Sequence, residues 1–248
     1  NGVTPPVTVT FIGSGDAFGS GGRLQACILV DDGRQRVLLD CGTSSLIGMK
    51  RLGIDPNSID IVLLSHLHGD HFGGIPFLVL DGQFSRREAD LRVVGPVGSR
   101  ERIALAMEVL YPGSSRVERR FKLVVDELEP LAAASLAGAT VRVFAADHAS
   151  GAPAHHLRLE IGGRTIAYSG DTAWTPALVQ AASGADLLIC EAYFRDRRVP
   201  FHLSYGELLE RRAELGCRRI VLTHMTQEII VAADVEMERA SDGLVVHV

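Results

Sequence analysis

The chain has 248 residues, 46% of them hydrophobic, with a net charge of -5 and a mean hydropathy of +0.17. That is enough apolar material for a substantial core in one large domain or two small ones. The acidic balance and the lack of a long basic run exclude global attraction to nucleic acid, and no stretch of about 18 apolar residues is present to span a membrane.

Strand signals dominate the first part. Residues 7–12 alternate and then break at the glycine-rich segment 13–22, which is no dinucleotide fingerprint because neither a helix nor a βαβ unit follows it. Its glycines are expected to let backbone pass close to the floor of a site. Residues 26–30 and 36–40 flank Asp31-Asp32-Gly33-Arg34, a good hairpin turn. Residues 45–52 predict a short helix and residues 60–64 a buried strand. Residues 91–94 predict a strand. Residues 99–110 predict an amphipathic helix with Ile103, Leu105, Ala106, Val109 and Leu110 on its apolar face.

Residues 157–161 and 165–168 flank Gly162-Gly163, a second hairpin. Thr175-Pro176 predicts a helix start, with Thr as N-cap and Pro at the first helical position. Residues 186–190 and 219–222 read as two more strands. Between them, Ser204 and Glu207 form a capping-box pattern ahead of a helix with Tyr205, Leu208, Leu209 and Leu215 on one face.

The two parts echo each other. In each, a hairpin ends in an Asp beside Gly and Thr (Asp40-Cys41-Gly42-Thr43; Gly170-Asp171-Thr172), a helix follows, and the next strand opens with Asp60 or Asp186. This predicts a diverged duplication within a single domain, 1–248, with halves of roughly 1–138 and 139–248. Interleaved strands and helices favour a layered α/β fold. Cys27, Cys41, Cys190 and Cys217 are dispersed and form no C-x-x-C pair, which suits free thiols in a reducing cytosol.

The most informative segment is His66-Leu67-His68-Gly69-Asp70-His71, directly after the apolar run Ile61-Val62-Leu63-Leu64-Ser65. Imidazole and carboxylate are the usual ligands of zinc and similar ions, and four in six residues exceed what one tetrahedral ion uses. Two neighbouring metals are expected, with His66 and His68 facing one, Asp70 and His71 the other.

These residues resemble the metallo-β-lactamase-fold superfamily of hydrolases, and most closely its ribonuclease Z-like phosphodiesterase branch. The resemblance runs through Thr10-Phe11-Ile12-Gly13-Ser14-Gly15-Asp16, Leu39-Asp40-Cys41-Gly42 and the motif from Ser65 to His71. It continues through Asp147-His148, Tyr168-Ser169-Gly170-Asp171-Thr172 and Leu222-Thr223-His224-Met225. It implies a four-layer αββα sandwich, two mixed sheets flanked by helices, with the site at one rim. It also implies a dinuclear zinc-type centre. His148 would complete the first metal site, Asp171 would bridge both ions, and His224 would be the last ligand of the second site with Asp70 and His71. Manganese or iron suits the same donors.

Several residues carry two readings. Asp40 either accepts the outer N–H of a ligating imidazole or serves turn chemistry before Gly42. Glu191 is a second candidate for such a supporting role. Relatives carry a non-ligand His in a place comparable to His202, just ahead of the helix opened by Ser204. There it would contact the scissile phosphate and protonate the leaving group. Arg195, Arg197 and Arg198 would hold an anionic substrate or merely face solvent. His155 and His156 start a strand and are read as structural ahead of substrate contact. His247 is expected to be exposed. The region 72–125, with Phe77, Phe84 and Tyr111, is expected to shape the pocket.

The expected function is metal-dependent hydrolysis of a small phosphodiester or nucleotide by attack of metal-bound hydroxide, with His202 and Asp70 in the catalytic set. Ribonuclease Z proper carries a long tRNA-gripping arm between the equivalents of His148 and Asp171. Only a hairpin-sized segment stands there in this chain, so tRNA is disfavoured. A lactonase, thioesterase or sulfatase-type esterase is the alternative, and a non-catalytic binding member of the fold a remote one. A homodimer is in keeping with relatives. No basic and apolar signal pattern opens the chain, so a cytoplasmic protein is expected. Residue 1 is Asn, so the natural start is expected upstream.

Overall fold

The computed structural model describes residues 6–248. Alternating and continuous apolar runs become strands β1 (Thr8–Gly13), β2 (Cys27–Asp31), β3 (Arg36–Leu39), β4 (Ile61–Leu63), β5 (Leu91–Pro96) and β6 (Leu123–Leu128). Helices α1 (Ser45–Arg51), α2 (Gly69–Phe72), α3 (Ile75–Phe84) and α4 (Ser99–Leu110) lie between them. The second half holds β7 (Ala133–Ser135), β8 (Ala139–Ala145), β9 (His155–Ile161), β10 (Arg164–Tyr168), β11 (Leu187–Glu191), β12 (Ile220–Thr223), β13 (Glu238–Arg239) and β14 (Val245–His247). Its helices are α5 (Pro176–Ala182), α6 (Tyr205–Arg211) and α7 (Gln227–Val231).

The strands form two seven-stranded sheets, ordered β14-β1-β2-β3-β4-β5-β6 and β13-β12-β11-β10-β9-β8-β7. Each is antiparallel through its hairpin and parallel beyond it, from β3 to β6 and from β10 to β13. The two sheets do not divide the chain at a single point. Ala133–Ser135 already pairs in the second sheet, while Val245–His247 returns to pair with β1 in the first.

Three separate apolar layers make this a four-layer αββα sandwich. The middle one packs sheet on sheet, with Val9, Phe11, Val30 and Leu39 against Val141, Leu159, Ile166 and Ile189. The second lies under α1, α3 and α4, where Leu38 and Val62 meet Met49, Leu78, Ile103 and Met107. The third lies under α5, α6 and α7, where Leu188 and Leu222 meet Leu178, Leu208 and Ile229. Alternate residues of one strand serve different layers, as the pleat requires. Each fully buried aliphatic side chain contributes about 1.5–3 kcal/mol.

The two halves share a hydrogen-bond pattern. Asp60 accepts the Arg36 N–H on its carboxylate at 2.8 Å and donates its own N–H to Arg36 O at 3.0 Å. Asp186 does the same with Thr165, at 2.9 Å for each bond. Either Asp thereby fixes where a parallel strand begins against the hairpin.

Local signals set the helix starts. Thr175 Oγ1 accepts the Leu178 N–H and Ser204 Oγ accepts the Glu207 N–H, each closing an open donor of the first turn. The apolar face of α4 differs from the expected one. Its buried row is Ser99, Ile103 and Met107, a four-residue spacing, and Leu105 and Val109 point away at 58% and 72% exposure. In α6, Tyr205 and Leu208 are buried and Leu209 is exposed, while Leu215 packs from the turn beyond the helix.

All four cysteines are free, and Cys27, Cys41 and Cys190 are buried. Among the described residues no helix is long and apolar enough to cross a membrane.

His155 and His156 are both buried at the start of β9. His156 is satisfied by Ser169 O and Thr175 Oγ1, whereas neither ring nitrogen of His155 has a hydrogen-bond partner. Burial pushes both imidazoles down to about 4. A folded-state value below the unfolded value of about 6.5 keeps stability complete above that pH and loses it as pH falls toward 4. In chelator-treated protein, the loss of unfolding free energy between pH 7.5 and pH 5 should shrink by about 2 kcal/mol in His155→Leu. Urea titrations at the two pH values measure it, and an unchanged pH slope would refute the assignment.

Candidate functional site

The chemistry collects where the parallel strands of both sheets end. β4 stops at Leu63, and Leu64 stays in the ladder by donating to Val94 O at 2.8 Å. Leu67 is buried in the outer layer, which anchors the loop so that His66 and His68 on either side share one cluster. His68 is extended and opens α2, whose single turn carries Asp70 and His71. His148 follows β8, Asp171 follows β10, Glu191 ends β11 and His224 follows β12 with φ 53°.

Two groups result. Ligand atoms of His66, His68 and His148 lie within 4.8 Å of one another, and so do those of Asp70, His71, Asp171 and His224. Asp171 stands between the groups. Its Oδ2 is 3.8 Å from His66 Nε2, 3.9 Å from His148 Nε2 and 3.3 Å from His224 Nε2, and its Oδ1 is 3.3 Å from His71 Nε2. Asp70 Oδ2 lies 3.1 Å from His71 Nε2 and 3.3 Å from His224 Nε2.

The donor set fits metal ions. His66 Nε2, His71 Nε2 and Asp171 Oδ1 are buried without a hydrogen-bond partner. The opposite nitrogens of three rings are engaged elsewhere. His71 Nδ1 bonds Asp40 at 2.7 Å, His148 Nδ1 bonds Phe201 O at 3.0 Å, and His66 Nδ1 lies 3.0 Å from Ser65 Oγ. An imidazole that donates Nδ1–H outward presents a bare Nε2 inward, the form that ligates a metal. His68 Nδ1 and His148 Nε2 also converge at 3.0 Å, two nitrogens aimed at one place.

The electrostatics are those of a crowded site. Burial would raise the Asp171 carboxyl, yet His224, His71 and His66 hold it well below the usual carboxylate range. Asp70 is likewise held down by His71 and His224 against its burial. Burial pulls His224 down, but Asp171 and Asp70 outweigh it and push the ring up to about 9. Burial and the neighbouring His71 push His66 down.

Asp40 lies beneath the cluster. It takes a left-handed backbone at φ 60° and its fully buried carboxylate is a four-way acceptor. Oδ1 takes the Ser65 N–H at 2.7 Å, while Oδ2 takes Ser65 Oγ–H at 2.7 Å, His71 Nδ1–H at 2.7 Å and Tyr168 O–H at 2.9 Å. Glu191 reaches His202 Nδ1 at 2.9 Å with one oxygen and accepts the Thr172 N–H with the other. The ring of His202 stacks on Tyr193 at 4.6 Å and lies 5.0 Å from that of His148. Ser65, Tyr168 and Tyr193 were not singled out from the sequence. Ser65 and Tyr168 stand inside motif stretches and Tyr193 two residues after Glu191, so position is the one signal the sequence holds for them.

Other expectations are corrected. Arg195 is engaged away from the cluster, its guanidinium paired with both carboxylate oxygens of Asp234. Arg198 pairs with Glu210 at 2.8 Å, and Arg197 lies over Phe194 at 3.7 Å. Phe84 is 79% exposed at the end of α3 next to Ser85, which bonds Asn57 ahead of β4. That is the strand-start edge, opposite the His/Asp cluster, so Phe84 lines no pocket there. Phe77 meets Tyr111 edge-on between α3 and α4. The glycine segment does reach the site floor, since Ser14 O accepts the His224 N–H at 3.2 Å. A cavity of about 780 Å³ also lies at the opposite edge, lined by Asp60, Arg92 and the two hairpin turns, and contains none of the cluster. His247 is exposed as expected.

Comparison with known proteins agrees with this geometry. The sequence profile of the family described as "Anti-Pycsar protein Apyc1" matches residues 7–241. The chain belongs to this Apyc1 family. A curated ribonuclease Z from Methanosarcina acetivorans is 27% identical over 270 residues, covering 88% of this chain and 87% of its own. The short form of human tRNase Z superposes with a TM-score of 0.80 at 26% identity, over 96% of this chain and 98% of that one. The metallo-β-lactamase-fold protein YhfI from Bacillus subtilis gives a TM-score of 0.80 at 21% identity, over 98% and 100%. This Apyc1-family chain is therefore a metal-dependent hydrolase with the metallo-β-lactamase fold, of the ribonuclease Z-like phosphodiesterase branch.

Asp40 gives a test of how the cluster is supported. Asp40→Asn keeps the shape but offers one acceptor oxygen where four donors converge. Stability should fall by about 2–4 kcal/mol and metal affinity by about 10–100-fold. Thermal unfolding and chelator competition report the two; unaltered affinity would show that Asp40 does not orient His71.

Proposed function

We propose that the chain hydrolyses a small nucleotide-type phosphodiester with two divalent ions, zinc being the first choice. The observation that carries this reading is a pair of ligand groups meeting at one carboxylate, Asp171. His66, His68 and His148 would hold one ion, and Asp70, His71 and His224 the other. Manganese and iron accept the same nitrogen and oxygen donors. When bound, the ions acidify a water and offset the negative charge that builds on the phosphoryl oxygens.

The chain's own residues divide the remaining work. Asp70 turns one oxygen toward His71 and His224, leaving the other to orient the attacking water. Glu191 holds His202 by Nδ1, so Nε2 is free to bring a proton to the leaving alcohol. Asp40 holds His71 in register. A small substrate is favoured by two facts. Residues 149–170, between His148 and Asp171, form only a loop and the β9–β10 hairpin, and the chain carries a net charge of -5. The similarity to ribonuclease Z and to tRNase Z makes RNA the competing substrate.

Elemental analysis combined with bis-p-nitrophenyl phosphate hydrolysis tests the reading. Two ions per chain and chelator-sensitive turnover are expected, with faster cleavage of dinucleotides or cyclic mononucleotides than of precursor tRNA. Preferred cleavage of precursor tRNA would overturn the small-substrate assignment, and metal-loaded protein inert toward every phosphodiester would overturn the reaction. His202→Ala should retain both ions and lose about 10²–10⁴ in turnover; loss of metal instead would make His202 a ligand.

A further inference from the structure

Beside the His/Asp cluster, one aromatic residue is held in a backbone shape that bulky side chains avoid. Phe201 has φ 66°, in the left-handed region. For such a residue this is a true outlier, and it persists only where the surroundings determine it. They do so here from both sides. Phe201 O accepts the Nδ1–H of His148 at 3.0 Å, and Val199 forms an antiparallel bridge with His202 across the turn.

The outcome is a ring that is 42% exposed yet stands 6.4 Å from the His148 imidazole, at 89° to it. The neighbouring aromatic rings have stacked or cationic partners. Tyr193 and His202 stack at 27°, and His202 and His224 at 14°. Phe194 carries the Arg197 guanidinium on its face. Among the described residues, Phe201 is a ring beside the cluster whose one aromatic contact is edge-on, to His148, so its faces have no stacked partner. A lone exposed Phe is ordinary; a strained one whose carbonyl fixes a candidate ligand is placed.

We propose that Phe201 is a stacking platform for the nucleobase of the substrate, seated while the phosphodiester engages the cluster beside His148. This rests on the phosphodiesterase reading above. Every base has a π face, so stacking tolerates all of them, and the platform favours nucleotides over simple diesters without choosing among bases.

The test compares two esters with the same leaving group, thymidine 5′-(p-nitrophenyl phosphate) and methyl p-nitrophenyl phosphate, on metal-loaded protein. The ratio of their kcat/KM values measures what the nucleoside adds. Phe201→Leu keeps bulk and loses the π face, so the ratio should fall about fivefold or more, mostly through KM for the nucleoside ester. Phe201→Trp should restore it. Metal content should match the wild type in both variants, because the bond to His148 comes from backbone. An unchanged ratio in Phe201→Leu, or an equal loss on both esters, would overturn the platform while the phosphodiesterase reading stands. Absence of turnover of either ester by the wild type would overturn both.

Discussion

The carboxylate of Asp171 is buried within 3.3–3.9 Å of four imidazole nitrogens, and the rim of the molecule is organised by the cost of that burial. It is not the only buried anion there, since Asp40, Asp70 and Glu191 lie on the same rim with little or no exposure. An uncompensated buried carboxylate costs several kcal/mol, so such a cluster needs positive charge close by. Imidazolium could supply it one ring at a time. The rings, however, crowd one another: His66 and His71 are 4.0 Å apart by centroid, and burial with that neighbour drives His66 toward its neutral form. Neutral rings with bare inward nitrogens around compact anions are suited to divalent cations, which satisfy both.

Holding that cluster is the task of two halves built alike. In each half a hairpin hands the chain to a helix and then to a parallel strand pinned by Asp60 or Asp186. Parallel strands send their C-terminal ends to one edge, so loops from both sheets arrive at one rim. The two halves then diverge in what they do with the same Asp. Asp40 is sunk below the first loop and gathers Ser65, His71 and Tyr168, reaching across the sandwich to the second sheet. Asp171, at the matching place in the second half, faces the ligand atoms instead. One carboxylate sets positions and the other meets the charge.

Much of this could be read from the chain because its cause is local. Six adjacent residues already hold the donor types of a metal site. The strands and both hairpins follow from alternation and turn chemistry within a few residues. Thr175 and Ser204 cap the helices they precede. What could not be read depends on partners distant in sequence. Arg195 looked available until Asp234 was brought to it across 39 positions. The four hydrogen bonds of Asp40 span up to 128 positions. The buried face of α4 is not legible in the sequence, because Leu105, Val109 and Leu110 are as apolar as Ile103 and Met107. Only the packed neighbours decide which row turns inward. Val245–His247 closing onto β1 is likewise a choice made by a free sheet edge, not by its own residues.

Glu191 ties the charge problem to the chemistry. It is fully buried at the end of β11, where burial raises its carboxyl and His202 opposes that effect. Its oxygen 2.9 Å from His202 Nδ1 lies also within 4.0 Å of His224 Nδ1, so it sits between a candidate ligand and a candidate acid. Accepting Nδ1–H fixes the His202 tautomer, which leaves Nε2 to carry a proton only when the ring is cationic. That cation is favoured by Glu191 against the burial of the ring, and His202 is raised above its ordinary value. The Tyr193 ring stacked on one face and the Phe201 turn before it leave the imidazole little freedom to swing. As the proposed proton donor, a ring restrained at its tautomer, its charge and its angle would spend less entropy in reaching a leaving group. The restraint comes from Glu191, Tyr193 and the Phe201 turn, on the same rim as the candidate ligand groups.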